Sequence, residues 1–195
     1  MNFLAHLWIA EATGTSMPGA ILGDIVRGSD LSAYPDAIAD GIRLHRRVDA
    51  ATDRHPALTA LRGTFPPGQR RYAGIVMDIA CDHVLATDWH QHSRESLQAF
   101  CLRSAHAVAT ATAWFERAGS PAPQPASFAR LLQSYGDAGG IDRALRRVAA
   151  RMRRAEGLTA AASQWRPAAA AIRPQLAAIL DDLVTGLASR IPPAA

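Results

Sequence analysis

Five short stretches of the chain gather side chains able to hold a cation or a phosphate. They are Asn2-Phe-Leu-Ala-His6, Gly23-Asp24-Ile-Val-Arg27-Gly28, His45-Arg46-Arg47-Val-Asp49, Asp78-Ile-Ala-Cys-Asp82-His83 and Asp88-Trp-His90. Each lies among Leu, Ile, Val and Ala, where an unpaired ion is costly to bury and a shared cation would remove the cost. Imidazoles combined with several carboxylates suit Mn, Fe, Zn or Mg in an open, water-bearing site, whereas structural zinc favours cysteine-rich tetrahedra. The chemistry this points to is metal-assisted hydrolysis of a phosphodiester.

Spacing adds to the argument. Residues four apart on a helix lie about 40° apart around its axis, so His45 and Asp49 project together, as do Asp78 and Asp82. His83 sits about 100° round from Asp82 and reaches the same ion from the shoulder of the helix. Asp78 and Asp82 repel each other mildly unless something positive lies between them, which favours a ligand role for that group. The other motifs also admit plainer readings: Asp24 pairs with Arg27, His45 and Asp49 form an ion pair on a solvated face, and His6 is a packed, partly buried histidine. Asp53, Asp88, His90 and His92 read as exposed helix-end residues, with His90 at the mouth of the site, and His55 and His106 carry no signal.

The elements that must position these groups are helices. Ala, Leu and Arg dominate, β-branched runs are rare, and apolar residues recur at spacings of three and four. The pattern predicts helices over roughly 2–12, from an N-cap at Ser16 to Gly28, from Pro35 to His55-Pro56, and over 69–92, 94–118, 127–135, 141–156 and 159–189. The last is expected to bend at Pro167 and Pro174. No strand is expected. The proline-rich connection 120–125 separates a motif-rich part, 1–118, from C-terminal helices over 126–190, within a single all-α domain.

Composition bounds the setting. A chain of 195 residues with 49% hydrophobic content can bury a core, so disorder is not the default. The formal charge is +4 and all 21 basic residues are Arg. Arginine suits bidentate contact with phosphate or carboxylate, although a GC-rich genome produces the same bias. Cys81 and Cys101 form no CxxC pair, the start has no basic n-region or cleavage site, and no stretch approaches the ~18 apolar residues of a membrane span. A soluble, cytoplasmic protein with no membrane partner is expected.

The motifs Asn2-Phe-Leu-Ala-His6, Asp24-x-x-Arg27-Gly28, His45-Arg46-Arg47-x-Asp49 and Asp78-x-x-x-Asp82-His83, in that order and at those intervals, resemble the acyl carrier protein phosphodiesterase family, also called acyl carrier protein hydrolase. The resemblance spans nearly the whole chain. It implies hydrolytic removal of 4′-phosphopantetheine from the serine of holo-acyl carrier protein, with a divalent cation: Mn²⁺ is favoured, with Mg²⁺ or Fe²⁺ as alternatives. That family is in turn similar to the HD phosphohydrolases, so a compact HD-like helical bundle is implied, although here the adjacent pair runs Asp82-His83, the reverse of the order that names that superfamily. On this reading His6, Asp24, His45, Asp82 and His83 are ligands. Asp49 or Asp78 positions the water or manages its proton, and Arg27, Arg46 and Arg47 neutralise phosphate charge.

A separate feature suits recognition. From Ile141 the apolar positions Leu145, Val148 and Met152 form one stripe, while Arg143, Arg146, Arg147, Arg151, Arg153 and Arg154 occupy the remaining surface. Such a basic amphipathic helix would steer an acidic partner, as acyl carrier proteins are, and reads equally well as a solvated face. No nucleic-acid motif or aromatic interleaving accompanies it. Two rival functions follow from the same residues: an HD-like phosphohydrolase acting on a nucleotide or small phosphodiester, and a non-enzymatic helical adaptor for acidic proteins.

Overall fold

Two segments of this sequence are apolar almost all the way round their axes and must be covered on every side. The first becomes α1 (Phe3–Ala12), whose Leu4, Ala5, His6, Leu7, Ile9 and Ala10 are all buried. The second becomes α5 (Ala73–Thr87), buried from Ala73 through Ala86 at most positions. The computed structural model describes residues 1–152 and 155–188. Among them every regular element is helical, so the protein is an all-α bundle.

Around this pair lie α2 (Met17–Leu22), α3 (Asp36–Arg54), α4 (Pro56–Thr64), α6 (Leu97–Ala109) and α7 (Thr112–Arg117). Next come α8 (Pro125–Gln133), α9 (Ala138–Ala150), α10 (Glu156–Ala162), α11 (Trp165–Ile172) and α12 (Leu176–Ala188). In contrast to α1, α3 is amphipathic: it buries Ile38, Ile42, Leu44, His45, Val48 and Thr52 and turns its arginines and most of its aspartates outward. It packs on α2, which packs on α1, while α5 contacts α1, α9 and α11. The buried apolar side chains form one continuous cluster from Met1 to Leu187. Cys81 and Cys101 are free thiols in that cluster, and burial pushes both up to about 12.

Several boundaries differ from those read in the sequence. The second helix stops at Leu22, not Gly28, so Asp24 and Arg27 ride on a loop. Pro56 ends α3 as expected, with His55 extended, but it also occupies the first turn of α4, where its missing N–H costs nothing. The stretch 69–92 divides into α5 and a single 3-10 turn at each end, and 94–118 breaks between α6 and α7. The basic helix is shifted to 138–150 because Asp137 caps it by accepting Gly140 N–H at 3.1 Å. The final stretch divides into α10, α11 and α12, with Pro174 in a 3-10 turn before α12. Among the described residues no helix is long and apolar enough to cross a membrane.

Candidate metal centre

The site is assembled where α2 crosses α3 with backbones nearly touching. A Cβ at Gly19 would lie 2.5 Å from the Ile38 carbonyl oxygen, and one at Gly41 would lie 2.6 Å from that of Ser16. Only a pair of glycines permits this approach. The same crossing lays the His45 ring over Gly23, where a Cβ would come within 2.3 Å of the imidazole. His45 Nδ1–H donates to the Ala20 carbonyl at 2.7 Å, which turns Nε2 toward the interior of the site.

His6, from α1, stacks on that ring with centroids 3.9 Å apart and planes 17° from parallel. Asp49, one turn beyond His45, reaches both: Oδ1 lies 3.1 Å from His6 Nε2 and Oδ2 lies 3.1 Å from His45 Nε2. Asp24 Oδ1 approaches His45 Nε2 at 3.3 Å from the loop after α2. The two histidines are 2% and 3% exposed, while the carboxylates of Asp24 and Asp49 are open to solvent. His6, His45 and Asp49 present one ligand atom each within 4.8 Å of one another.

The charges follow from this geometry. Burial opposes a charge on His45, but the Asp24 and Asp49 carboxylates outweigh it and raise the imidazole to about 9. Burial holds His6 below its ordinary value, opposed by Asp49 and aided by the charge on His45. Asp49 is itself partly buried, which raises it, yet the contacts from His45 and His6 hold its carboxyl well below the usual range. Without a cation the site is therefore one neutral and one charged imidazole around an ionised carboxylate.

A cleft of about 300 Å³ opens beside this group, lined by Asp24, Asp49, Thr52, Asp53 and Asp78 among others. Asp78 accepts the Met1 ammonium at 2.9 Å. Burial works against that ammonium, and Asp78 leads the groups that overcome it, raising it to about 10.

The residues fit a divalent cation. His6 Nδ1 is buried without a hydrogen-bond partner and Nε2 meets only the Asp49 carboxylate at 3.1 Å, so the ring is poorly satisfied by the protein and has a nitrogen facing the site for a metal. With His45 Nε2, Asp49 and Asp24, the donors are imidazole nitrogen and carboxylate oxygen, suited to Mn²⁺, Fe²⁺, Zn²⁺ or Mg²⁺.

The structure gathers His6, Asp24, His45 and Asp49 and places Asp78 on the cleft wall, but two expected ligands stand elsewhere. Asp82 is 0% exposed and its two oxygens accept the backbone N–H groups of Leu4 at 2.8 Å and Ala5 at 3.1 Å. It caps α1, whose own N-cap residue, Asn2, makes no capping bond. Burial raises its carboxyl to about 7, against the pull of those two donors. His83 points away from the site: Nδ1 bonds the Tyr135 carbonyl at 2.7 Å and the ring meets Trp165 edge-on. Asp49, expected with Asp78 as one of two candidates to handle the water, lies instead between the two imidazoles, 3.1 Å from each.

The arginines divide similarly. Arg46 donates to the Val26 carbonyl at 2.9 Å and so ties the Asp24 loop to α3. Arg47, the next residue round the helix, lines a separate pocket between α3 and α12. Arg27 is exposed on the loop. Asp53, expected only as an exposed helix-end residue, lines the cleft, and so does Thr52, which was not among the expected site residues although His45, Asp49 and Thr52 make one stripe at helical spacing.

On α9, Arg143, Arg146 and Arg147 are exposed, as is Arg151 at its C-terminus. Arg143 approaches Asp137 at 3.5 Å and Arg146 donates to the Asp142 carbonyl at 3.2 Å. Arg143 and Arg147 join Ser127, Arg130 and Ser134 in lining a pocket of about 320 Å³ between α8 and α9. Arg153 and Arg154 lie outside the described residues. Val148, beside Arg147 in sequence, lines the acidic cleft, so α9 borders both concavities.

A family model described as acyl carrier protein phosphodiesterase matches residues 1–183. A protein named acyl carrier protein phosphodiesterase from Enterobacter sp. (strain 638) is 42% identical over 106 residues, 54% of this chain and 55% of that one. Proteins of the same name from Klebsiella pneumoniae (strain 342) and Salmonella agona (strain SL483) are 44% identical over 93 residues and 43% over 101. Those matches cover 48% of each chain for the first, and 51% of this chain and 52% of the relative for the second. The chain thus spans about half the length of the curated relatives it matches. No solved structure matches.

Proposed function

The chain belongs to the acyl carrier protein phosphodiesterase family, and from that premise we propose that it hydrolyses the phosphodiester joining 4′-phosphopantetheine to the serine of holo-acyl carrier protein. The observation that carries the reading is the His6, His45 and Asp49 group, two buried imidazoles facing one carboxylate at the edge of an open cleft. His6, His45, Asp49 and Asp24 would hold a divalent cation, with Mn²⁺ the favoured ion. Bound there, it would supply Lewis acidity to the water and to a phosphoryl oxygen.

The chain's own residues do the rest. Ala20 fixes the His45 tautomer, so that Nε2 faces the site. Asp49 holds both rings in register. Asp78 lines the cleft wall, and in this reading it takes a proton from the attacking water and passes it toward the departing serine oxygen. Water adds hydroxide to phosphorus, the bond from phosphorus to the serine oxygen breaks, and the serine leaves protonated, giving apo-carrier and 4′-phosphopantetheine. Arg27 is the arginine free to swing over the phosphate, because Arg46 is committed to Val26.

The carrier itself would dock on α9 through Arg143, Arg146, Arg147 and Arg151. An acidic partner there lies next to the helix that lines the cleft through Val148. Residues 1–118 supply the chemistry and the C-terminal helices the docking face, within one domain. The test is incubation of holo-acyl carrier protein with the protein and Mn²⁺, followed by intact mass measurement. Loss of the whole phosphopantetheine mass is expected; a carrier of unchanged mass sinks the proposal.

A further inference from the structure

Several threonines in or capping the helices of this protein return their hydroxyls to the backbone. Thr13 donates to the Ile9 carbonyl at 2.8 Å, Thr87 to that of His83 at 2.9 Å and Thr159 to that of Ala155 at 3.1 Å. Thr52 does not. It lies within α3, is 3% exposed, and its Oγ1 has no hydrogen-bond partner. A buried hydroxyl left unsatisfied is a standing cost that a threonine at this position could avoid through its own helix.

Thr52 also lines the acidic cleft, three residues beyond Asp49 on the same stripe of α3. That spacing advances about 4.5 Å along the axis, within reach of one phosphate group seated beside Asp49. The rest of the wall offers a phosphate little. Asp24, Asp49, Asp53 and Asp78 repel it, the Met1 ammonium is engaged by Asp78, and the Asn2 amide donates to the Tyr135 hydroxyl at 3.0 Å. Thr52 is the neutral donor of the wall that no protein group engages.

We propose that Thr52 is a substrate-binding residue whose hydroxyl donates to a non-bridging phosphoryl oxygen of the phosphodiester in this cleft. The inference rests on the phosphodiesterase reading and adds a specific contact to it. The bond satisfies the buried hydroxyl only when substrate is present, and it orients the phosphate against the His6, His45 and Asp49 group without adding charge.

The full-length chain loaded with Mn²⁺ provides the test, with inorganic phosphate as probe and holo-acyl carrier protein as substrate. Thr52→Val keeps the shape and removes the hydroxyl; Thr52→Ser keeps the hydroxyl. Thr52→Val is expected to weaken phosphate binding and lower kcat/KM about tenfold to hundredfold, with Mn²⁺ affinity unchanged. Its melting temperature should match or exceed that of wild type, because an unsatisfied hydroxyl has been replaced by a methyl. Thr52→Ser should bind phosphate as wild type does. Wild-type phosphate binding in Thr52→Val overturns the assignment, and so does a joint loss of Mn²⁺ affinity and melting temperature, which would mark a structural role. If wild type and Thr52→Ser bind phosphate, Thr52→Val does not, and none of them cleaves holo-carrier, the substrate reading fails while the Thr52 contact stands.

Discussion

His6 and His45 lie ring against ring with centroids 3.9 Å apart, one from α1 and the other from α3, and the Nε2 atoms of both are 3.1 Å from the carboxylate of Asp49. Two charged imidazoles at that separation would repel strongly. The fold tolerates the pair because burial keeps His6 neutral while Asp24 and Asp49 stabilise charge on His45. The Asp24 and Asp49 carboxylates thus set the electrostatics of the centre, with Asp49 the one that meets both rings.

Asp49→Ala should therefore weaken Mn²⁺ binding by about a hundredfold or more, since loss of even an outer-shell group at such sites costs roughly 10–100-fold. Titration calorimetry with Mn²⁺ reads this directly. Wild-type affinity in the variant would remove Asp49 from the ligand set.

Metal binding should also be strongly pH-dependent. His45 is raised to about 9 from 6.5, so its charged form stabilises the metal-free fold. That contribution is complete below about pH 6.5 and is lost as pH rises through about 9. A cation must displace the same proton, so apparent affinity should rise up to about tenfold per pH unit on approaching pH 9, with about one proton released. Calorimetry at pH 7 in buffers of different ionisation enthalpy measures the proton count; no buffer dependence would contradict the assignment.

Gly23→Ala should move the His45 ring, because a methyl there would lie within 2.3 Å of it. Mn²⁺ affinity and thermal stability should fall together. Gly28→Ala is the control: φ is +78° but no atom lies within 4 Å of the added carbon. It should cost about 1 kcal/mol of stability and leave metal affinity intact.

Asp82→Ala should act on the fold rather than on the ligand set. It orphans the buried N–H groups of Leu4 and Ala5, at about 1–3 kcal/mol each. Asp82→Asn, which keeps one acceptor oxygen, should lose less stability and still bind Mn²⁺. Chemical denaturation ranks the two, and a fully stable Asp82→Ala protein would contradict the capping role.

Reversing Arg143, Arg146 and Arg147 to Glu should raise KM for holo-carrier by about tenfold or more at low salt, with kcat little changed. An unchanged KM across the salt range would remove α9 from carrier docking.

Period and composition determined the helical class, the position of α3 and the joint projection of His45 and Asp49, because these depend on residues within two turns of one another. The motif order determined the family. What lay beyond local reasoning was the partner of each polar group. Asp78, Asp82 and His83 share one helix, yet they turn respectively to the cleft, to the N-terminus of α1 and to the Tyr135 carbonyl. Spacing predicted that Asp78 and Asp82 would share an ion, but it could not show that α1 would arrive with uncapped N–H groups in front of Asp82. Only the crossing of α2 and α3 at Gly19 and Gly41 decided that His45 would meet His6, since a ligand set is a property of where backbones come close.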